Sequence, residues 1–164
     1  MLTLVIPVYK NESSLPDLLN AVNNLSNKMQ GALETVFVVD GSPDNCYPIL
    51  RDSLPEQSFK SKLILLSRNF GAFVAIRTGL QHGTGDRFAV MAADLQEPPE
   101  LILEMNKKLQ EEELDIVVGV REARDDPGFS KLSATLFWWA YRKFVLPEIP
   151  VGGVDIFACN KHAR

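Results

Sequence analysis

The stretch "RFAVMAADLQEPPE" (87–100) decides how this chain folds. Residues 87–94 are an apolar run that closes on one acid, Asp94, and read as a β-strand. Pro98 and Pro99 then open a helical segment, "PPELILEMNKKLQEEE" (98–113). Prolines suit a first helical turn, and Glu100 favours the positive end of the helix dipole. A strand followed at once by a helix is half of a β-α-β unit.

The same alternation runs outward in both directions. Strands are expected at 2–8, 34–40, 62–67 and 114–120, all rich in Val, Ile, Leu and Phe. Their apolar runs are nearly continuous, the pattern of strands buried on both faces of a parallel sheet. Helices are expected between them. "SLPDLLNAVNNL" (14–25) places Leu15, Leu18, Leu19, Val22 and Leu25 at helical spacing, with Ser13 or Ser14 as cap. "YPILRDSL" (47–54) is short, and "GAFVAIRTGLQ" (71–81) is apolar on most sides, so it is expected to be buried. The fold class is α/β, a mostly parallel central sheet flanked by helices and joined by right-handed crossovers.

Composition narrows the function. At 164 residues and 46% hydrophobic, the chain can bury a sizeable core as one domain. Seventeen Lys+Arg against 21 Asp+Glu leave a net charge of −4, which argues against a nucleic-acid binder. Cys46 and Cys159 are too few and too distant for a disulfide framework or a zinc site. No run is long enough for a membrane span, and "LTLVIPVY" is a first strand rather than a signal peptide. "DIFACNKHAR" ends without a cap or turn, so the domain is expected to be truncated at its C-terminal end.

Open α/β sheets bind ligands beyond the carboxyl ends of their strands. There stand "PVYKNE" (7–12), "DGSPDN" (40–45), "SRNFG" (67–71), "ADLQEPP" (93–99) and "GVREARDD" (119–126). Asp40 can accept hydrogen bonds from a base or ribose, or belong to a turn that caps the next helix. With no G-x-G-x-x-G and no P-loop, a bound nucleotide needs another neutraliser for its phosphates. Asp94 with a divalent metal, and Gln96 as a further ligand, can serve; Asp94 can equally cap the proline-started helix. Arg121, after the fifth strand, can bind phosphate or pair with Glu122, Asp125 or Asp126. His82 and His162 are isolated and fit structural roles. "KLSATLFWWAYRKFV" (131–145) fits an interfacial helix on a membrane or a large core helix.

In order, "VIPVYKNE", "VFVVDGSPDN", "LSRNFG", "GLQHGTGDRFAVMAADLQEPPE", "DIVVGVR" and "GGVDIF" resemble the family 2 inverting glycosyltransferases of GT-A (nucleotide-diphospho-sugar transferase) fold. The polyprenyl- and dolichyl-phosphate glycosyltransferases are the nearest in pattern. The resemblance spans nearly the whole chain. It implies that Pro7 and Tyr9 line a nucleotide pocket with Glu12 or Asn11 nearby, and that Asp40 touches the base or ribose. It implies that Asp94 holds metal and diphosphate, with Ala93 contributing backbone and Gln96 a further ligand. It implies that Arg121 contacts phosphate and that the aromatic segment receives a lipid-linked acceptor. Two acids frequent in the family are replaced, one by Val39 and one by Ala92.

The expected function is metal-dependent transfer of a hexose from a UDP- or GDP-linked donor to a polyprenyl phosphate, with Mg2+ or Mn2+ as cofactor. A lipid-phosphate acceptor is already ionised and needs no strong base; a saccharide hydroxyl does, and Asp155 is then the candidate. The alternatives are a non-catalytic nucleotide-sugar-binding module and a transferase acting on saccharide hydroxyls in cell-wall or surface polysaccharide synthesis. A nucleotidyltransferase would need a basic glycine-rich loop near the first strand, which "PVYKNE" is not. For the full-length protein the expected place is the cytoplasmic face of the cell membrane, this portion being soluble.

Overall fold

Apolar β-rich runs build the sheet. The first is β1 (Leu2–Val8), with six of its seven side chains buried, and β2 (Leu33–Val39) is buried throughout. Four more strands follow: β3 (Lys60–Leu65), β4 (Arg87–Val90), β5 (Ile116–Gly119) and β6 (Ile156–Asn160). A computed structural model describes residues 1–119 and 156–164. Arg121, Asp155 and the 131–145 segment therefore lie outside the described residues. The chain divides into two compact units, Met1–Val117 with Ala158–Arg164, and Val118–Phe157; the second is almost wholly outside the described residues.

The sheet order is β3-β2-β1-β4-β6-β5. β1 pairs in parallel with β2 and with β4, and β2 with β3; β6 runs antiparallel to β4. The chain moves outward from β1 to β3, then returns to lay β4 on the other side of β1. That reversal is a topological switch point, and it leaves a crevice at the carboxyl ends of the central strands.

Four helices are described: α1 (Leu15–Lys28), α2 (Cys46–Ser53), α3 (Ala72–His82) and α4 (Glu100–Glu111). α1 buries Leu15, Leu18, Leu19, Val22 and Leu25, the stripe its sequence spacing predicts. Each such leucine contributes about 1.5–3 kcal/mol on burial. α4 buries Ile102, Met105 and Leu109 and begins at Glu100, whose carboxylate also meets Lys28 Nζ at 3.0 Å.

Three readings need correction. β3 and β5 are half-exposed rather than buried on both faces, because β3 is an edge of the sheet and β5 the other. β4 stops at Val90, not Asp94: Met91 N–H still donates to Val5 O at 3.1 Å, and the chain then leaves the sheet. α3 is not buried all round. Its small residues Ala75 and Gly79 face the sheet, where a Cβ on Gly79 would lie 2.3 Å from Val5 Cγ1, while Phe73 is 89% exposed. The apolar side chains opposite that small-residue face have no layer above them among the described residues. β6 was not anticipated; "IFACN" is short and sits within a motif read for its acid rather than its strand.

Candidate active site

Pro7 helps to open the crevice. Val5 O accepts from Met91, and Val8 O accepts from Asp40, so odd positions of β1 point towards β4 and even ones towards β2. The β1–β4 ladder ends at Val5–Val90. Pro7 would be next on that side, and it has no N–H to offer. The two strands part there without leaving an unsatisfied donor on β1.

A cavity of about 300 Å3 occupies the gap. Of the residues singled out in the sequence, Pro7, Tyr9, Asn11, Asp40, Ala93 and Asp94 line it; Asn69 and Ala72 join them. Ala92 lines it too, so the position where the family often carries an acid presents a methyl group to the cavity. Val39, the other replaced acid, is fully buried in β2. Both flanking loops contain a non-glycine residue in left-handed backbone, Lys10 and Leu95, each at φ 56°. Such costly conformations gather at binding and catalytic sites.

Asp40 is 2% exposed. Its Oδ1 accepts from Phe70 N–H and its Oδ2 from Gly71 N–H, both at 2.8 Å. It thus holds the two residues that lead into α3, Gly71 being the N-cap, where a carboxylate also meets the helix dipole favourably. The neighbouring Gly41 has φ 57°, and a Cβ there would lie 2.2 Å from the Arg68 carbonyl carbon. The turn chemistry of "DGSPDN" belongs to the residues after Gly41. Ser42 Oγ accepts from Lys10 N–H at 2.7 Å and donates to Asp44 Oδ1 at 2.6 Å. Burial would raise the Asp44 carboxyl; hydrogen bonds from Ser42, Cys46 and the Glu12 backbone outweigh it and hold the carboxyl below its usual range.

Glu12 turns away from the cavity. Its carboxylate accepts from Asn45 N–H and Asn45 Nδ2, both at 3.0 Å, at the start of α2. Asn11, its neighbour, is the one on the cavity wall, and its Oδ1 accepts from Tyr9 N–H at 3.0 Å. Cys46 is buried beside Asp44, and burial, then that carboxylate, pushes its thiol up to about 11, so it is no nucleophile at neutral pH.

Asp94 stands exposed on the loop between β4 and α4. Its Oδ2 accepts from Gln96 Nε2 at 2.8 Å and its Oδ1 lies 3.4 Å from Gln96 N. It does not cap α4, whose N-cap is Pro99. Ser14 Oγ lies 3.0 Å from the carbonyl oxygens of Asn11 and Ala93 and ties this loop to the one after β1. Among the described residues no three His, Cys, Asp or Glu side chains cluster as a metal cage. One carboxylate with one amide fits a Mg2+-type ion only if a ligand brings further oxygens, the usual arrangement for metal on a diphosphate.

Sequence reasoning left Asn69 and Ala72 unassigned. Asn69 belongs to "SRNFG", a strand-end stretch; an amide two residues before the glycine that opens a helix was the available signal.

Comparison with known proteins agrees with this geometry. The family described as glycosyl transferase family 2 matches residues 3–162. The undecaprenyl-phosphate 4-deoxy-4-formamido-L-arabinose transferase of Enterobacter sp. (strain 638) is 37% identical over 134 residues, 82% of this chain and 41% of that protein. The chain thus spans under half the length of that curated relative. Among solved structures, the mannosyltransferase PcManGT from Pyrobaculum calidifontis, in complex with GDP-Man and Mn2+, superposes with a TM-score of 0.70 at 20% identity, over 98% of this chain and 44% of that one. Glucosyl-3-phosphoglycerate synthase from Mycobacterium tuberculosis, with Mn2+, UDP and glucosyl-3-phosphoglycerate, also gives 0.70, at 18% identity, over 99% of this chain and 57% of that one. These two share the GT-A fold with this chain.

Proposed function

The chain belongs to glycosyl transferase family 2, and on that footing we propose that its protein transfers a sugar from a nucleoside diphosphate sugar to a polyprenyl phosphate with inversion. One observation carries the reading: a cavity at the switch point whose wall holds Pro7, Tyr9, Asp40 and Asp94. The curated relative is a transferase named for undecaprenyl phosphate, which supports the acceptor class.

The donor lies with its diphosphate towards Asp94. An acceptor phosphate oxygen attacks the anomeric carbon from the face opposite the diphosphate. The new O–C bond forms as the bond from that carbon to the β-phosphate oxygen breaks, and its electron pair leaves on the nucleoside diphosphate. A phosphate monoester has its second pKa near about 6, so it reaches the site already charged and no general base is needed. A divalent ion held by Asp94 and Gln96, with the donor's own phosphate oxygens, would neutralise the leaving group. Solved relatives in complex with Mn2+ support a metal; Mg2+ would suit the same oxygens. We assign Arg121 to a phosphate and Asp155 to positioning the acceptor, on the family pattern alone. The cavity supports Pro7, Tyr9 and Ala93 as wall and backbone contacts to the donor.

No helix among the described residues is long and apolar enough to cross a membrane. A polyprenyl acceptor nevertheless places the reaction at a membrane surface, and nucleotide-sugar donors place it on the cytoplasmic face.

The test is calorimetric titration with UDP and GDP, with and without Mn2+, followed by a transfer assay from the nucleotide sugar that binds onto polyprenyl phosphate. Metal-dependent binding and appearance of a lipid-phosphate sugar are expected. Binding that ignores both Mn2+ and Asp94→Ala would overturn the role given to Asp94. Transfer to a saccharide hydroxyl but not to the lipid phosphate would overturn the acceptor.

A further inference from the structure

α3 carries an apolar outer face beside the rim of the cavity. Ala75 and Gly79 settle the helix onto the sheet, so Phe73, Val74 and Arg77 stand on the opposite side, all exposed. Phe70, just before the helix, is exposed as well. Asn69 and Ala72 line the cavity, and Phe70 and Phe73 are the residues that directly follow them. The apolar patch and the cavity thus share one edge.

The charge of this region is one-sided. Residues 57–85 contain no Asp or Glu, in a chain that has 21 of them and a net charge of −4. The same stretch holds Lys60, Lys62, Arg68 and Arg77. Lys60 and Lys62 reach back to the buried Glu34, at 3.5 and 3.1 Å. Arg68 and Arg77 are exposed and form no ion pair among the described residues. The Arg68 guanidinium lies 4.9 Å from the centroid of the Phe70 ring. Apolar side chains edged by unpaired arginines suit the surface of an anionic bilayer. The rings enter the boundary of the acyl layer, and the guanidinium groups meet lipid phosphates. A second copy of the chain is a poorer occupant. A two-fold contact sets a patch against itself, which here brings arginines towards arginines with no acid on the face to answer them.

We propose that the outer face of α3, Phe70, Phe73 and Val74 with Arg68 and Arg77, rests on an anionic lipid surface. The contact brings the rim of the cavity to the membrane that holds the acceptor. This rests on the lipid-phosphate reading above and adds to it the face by which the domain meets the bilayer.

The chain is floated with vesicles of phosphatidylcholine alone and with vesicles of equal parts phosphatidylcholine and phosphatidylglycerol, at low and at high salt. Phe73→Ser, Arg77→Glu and, for comparison, Trp138→Ser are floated alongside and melted to confirm folding. The parent is expected to float with the anionic vesicles and to come off as salt rises. Arg77→Glu is expected to weaken that binding by about tenfold, since it replaces an attracted charge by a repelled one. Phe73→Ser is expected to weaken it by about fivefold or more. In the transfer assay both variants should raise KM for polyprenyl phosphate in vesicles and leave KM for the nucleotide sugar as in the parent. A parent that floats with neither kind of vesicle, or Phe73→Ser and Arg77→Glu chains that float as the parent does, overturn the proposal and leave the transferase reading standing. Loss of flotation in Trp138→Ser alone assigns the contact to the 131–145 segment and overturns it too. A dimer seen by sedimentation that Phe73→Ser dissolves, without vesicle binding, overturns it in favour of a second copy. Failure of both UDP and GDP to bind overturns the transferase reading, and with it the role given to this contact, whatever the flotation shows.

Discussion

At the scale of single residues, the cavity turns on a methyl group. Ala92 and Asp94 both line it, and among the described residues Asp94 is the one carboxylate on the β4 side. One acid is a weak metal site, and affinity for hard cations rises with the number of charged ligands. Ala92→Asp should therefore tighten Mn2+-dependent binding of the nucleoside diphosphate by about tenfold. Without metal the same change should weaken nucleotide binding, since a second negative charge then faces the diphosphate unscreened. Titration with and without Mn2+ checks both signs, and a shift in one direction under both conditions would show that position 92 does not face the metal. Asp94→Ala should remove the metal dependence entirely while leaving the melting temperature within a degree or two, because an exposed loop carboxylate whose partner among the described residues is Gln96 contributes little to stability.

At the scale of elements, α3 shows where sequence reading fell short. Its run of apolar residues is as continuous as that of β2, and hydrophobicity alone marks both as buried. What separates them is the size of the side chains that face the sheet. Ala75 and Gly79 let the helix settle onto β1, and that close approach leaves Phe73 and Val74 on the opposite side. Phe73→Ser should accordingly change the unfolding free energy by less than about 0.5 kcal/mol, against several kcal/mol for a core phenylalanine. Gly41→Ala should behave oppositely. It adds one methyl group, yet the new Cβ would strike the Arg68 backbone and force a left-handed alanine. A loss of roughly 2 kcal/mol or more is expected, with nucleotide affinity falling alongside because the same contact carries Asn69. Chemical denaturation of the two variants side by side decides whether α3 lies as described. Much of the fold was legible: β1, β2, α1 and α4 follow from periodicity and prolines. The cavity beyond β1 and β4 was legible as a place to look, because strand ends are where parallel sheets bind. The exposed face of α3, the place of Asn69 on the cavity wall and the turn of Glu12 towards Asn45 were not, because each depends on which segments approach one another across the sheet.

At the scale of the molecule, the candidate site and a buried charged residue stand at opposite ends of the sheet. The cavity lies beyond the carboxyl ends of β1 and β2. Glu34, the second residue of β2, lies at the other end and is fully buried. Burial would raise its carboxyl. Thr84 N–H at 2.7 Å, Thr3 Oγ1 at 2.9 Å, Lys62 Nζ at 3.1 Å and the Thr84 hydroxyl outweigh that and bring it down to about 2 from 4.5. Lys60 Nζ, at 3.5 Å, adds to the same side. A folded value below the unfolded one means that the folded state favours the charged form. The stabilisation is then complete above about pH 4.5 and is lost as pH falls from 4.5 towards 2. The size is roughly 3 kcal/mol. Glu34→Gln should therefore lower stability at pH 7 and flatten the acid limb of the stability curve over that window. β2 is seven residues long, so Glu34 stands about 20 Å from Asp40 along the strand. Effects at that distance are independent unless a shared structure links them. Nucleotide affinity of the folded Glu34→Gln chain should match that of the parent, and a loss of affinity without unfolding would show that the two ends of the sheet are coupled.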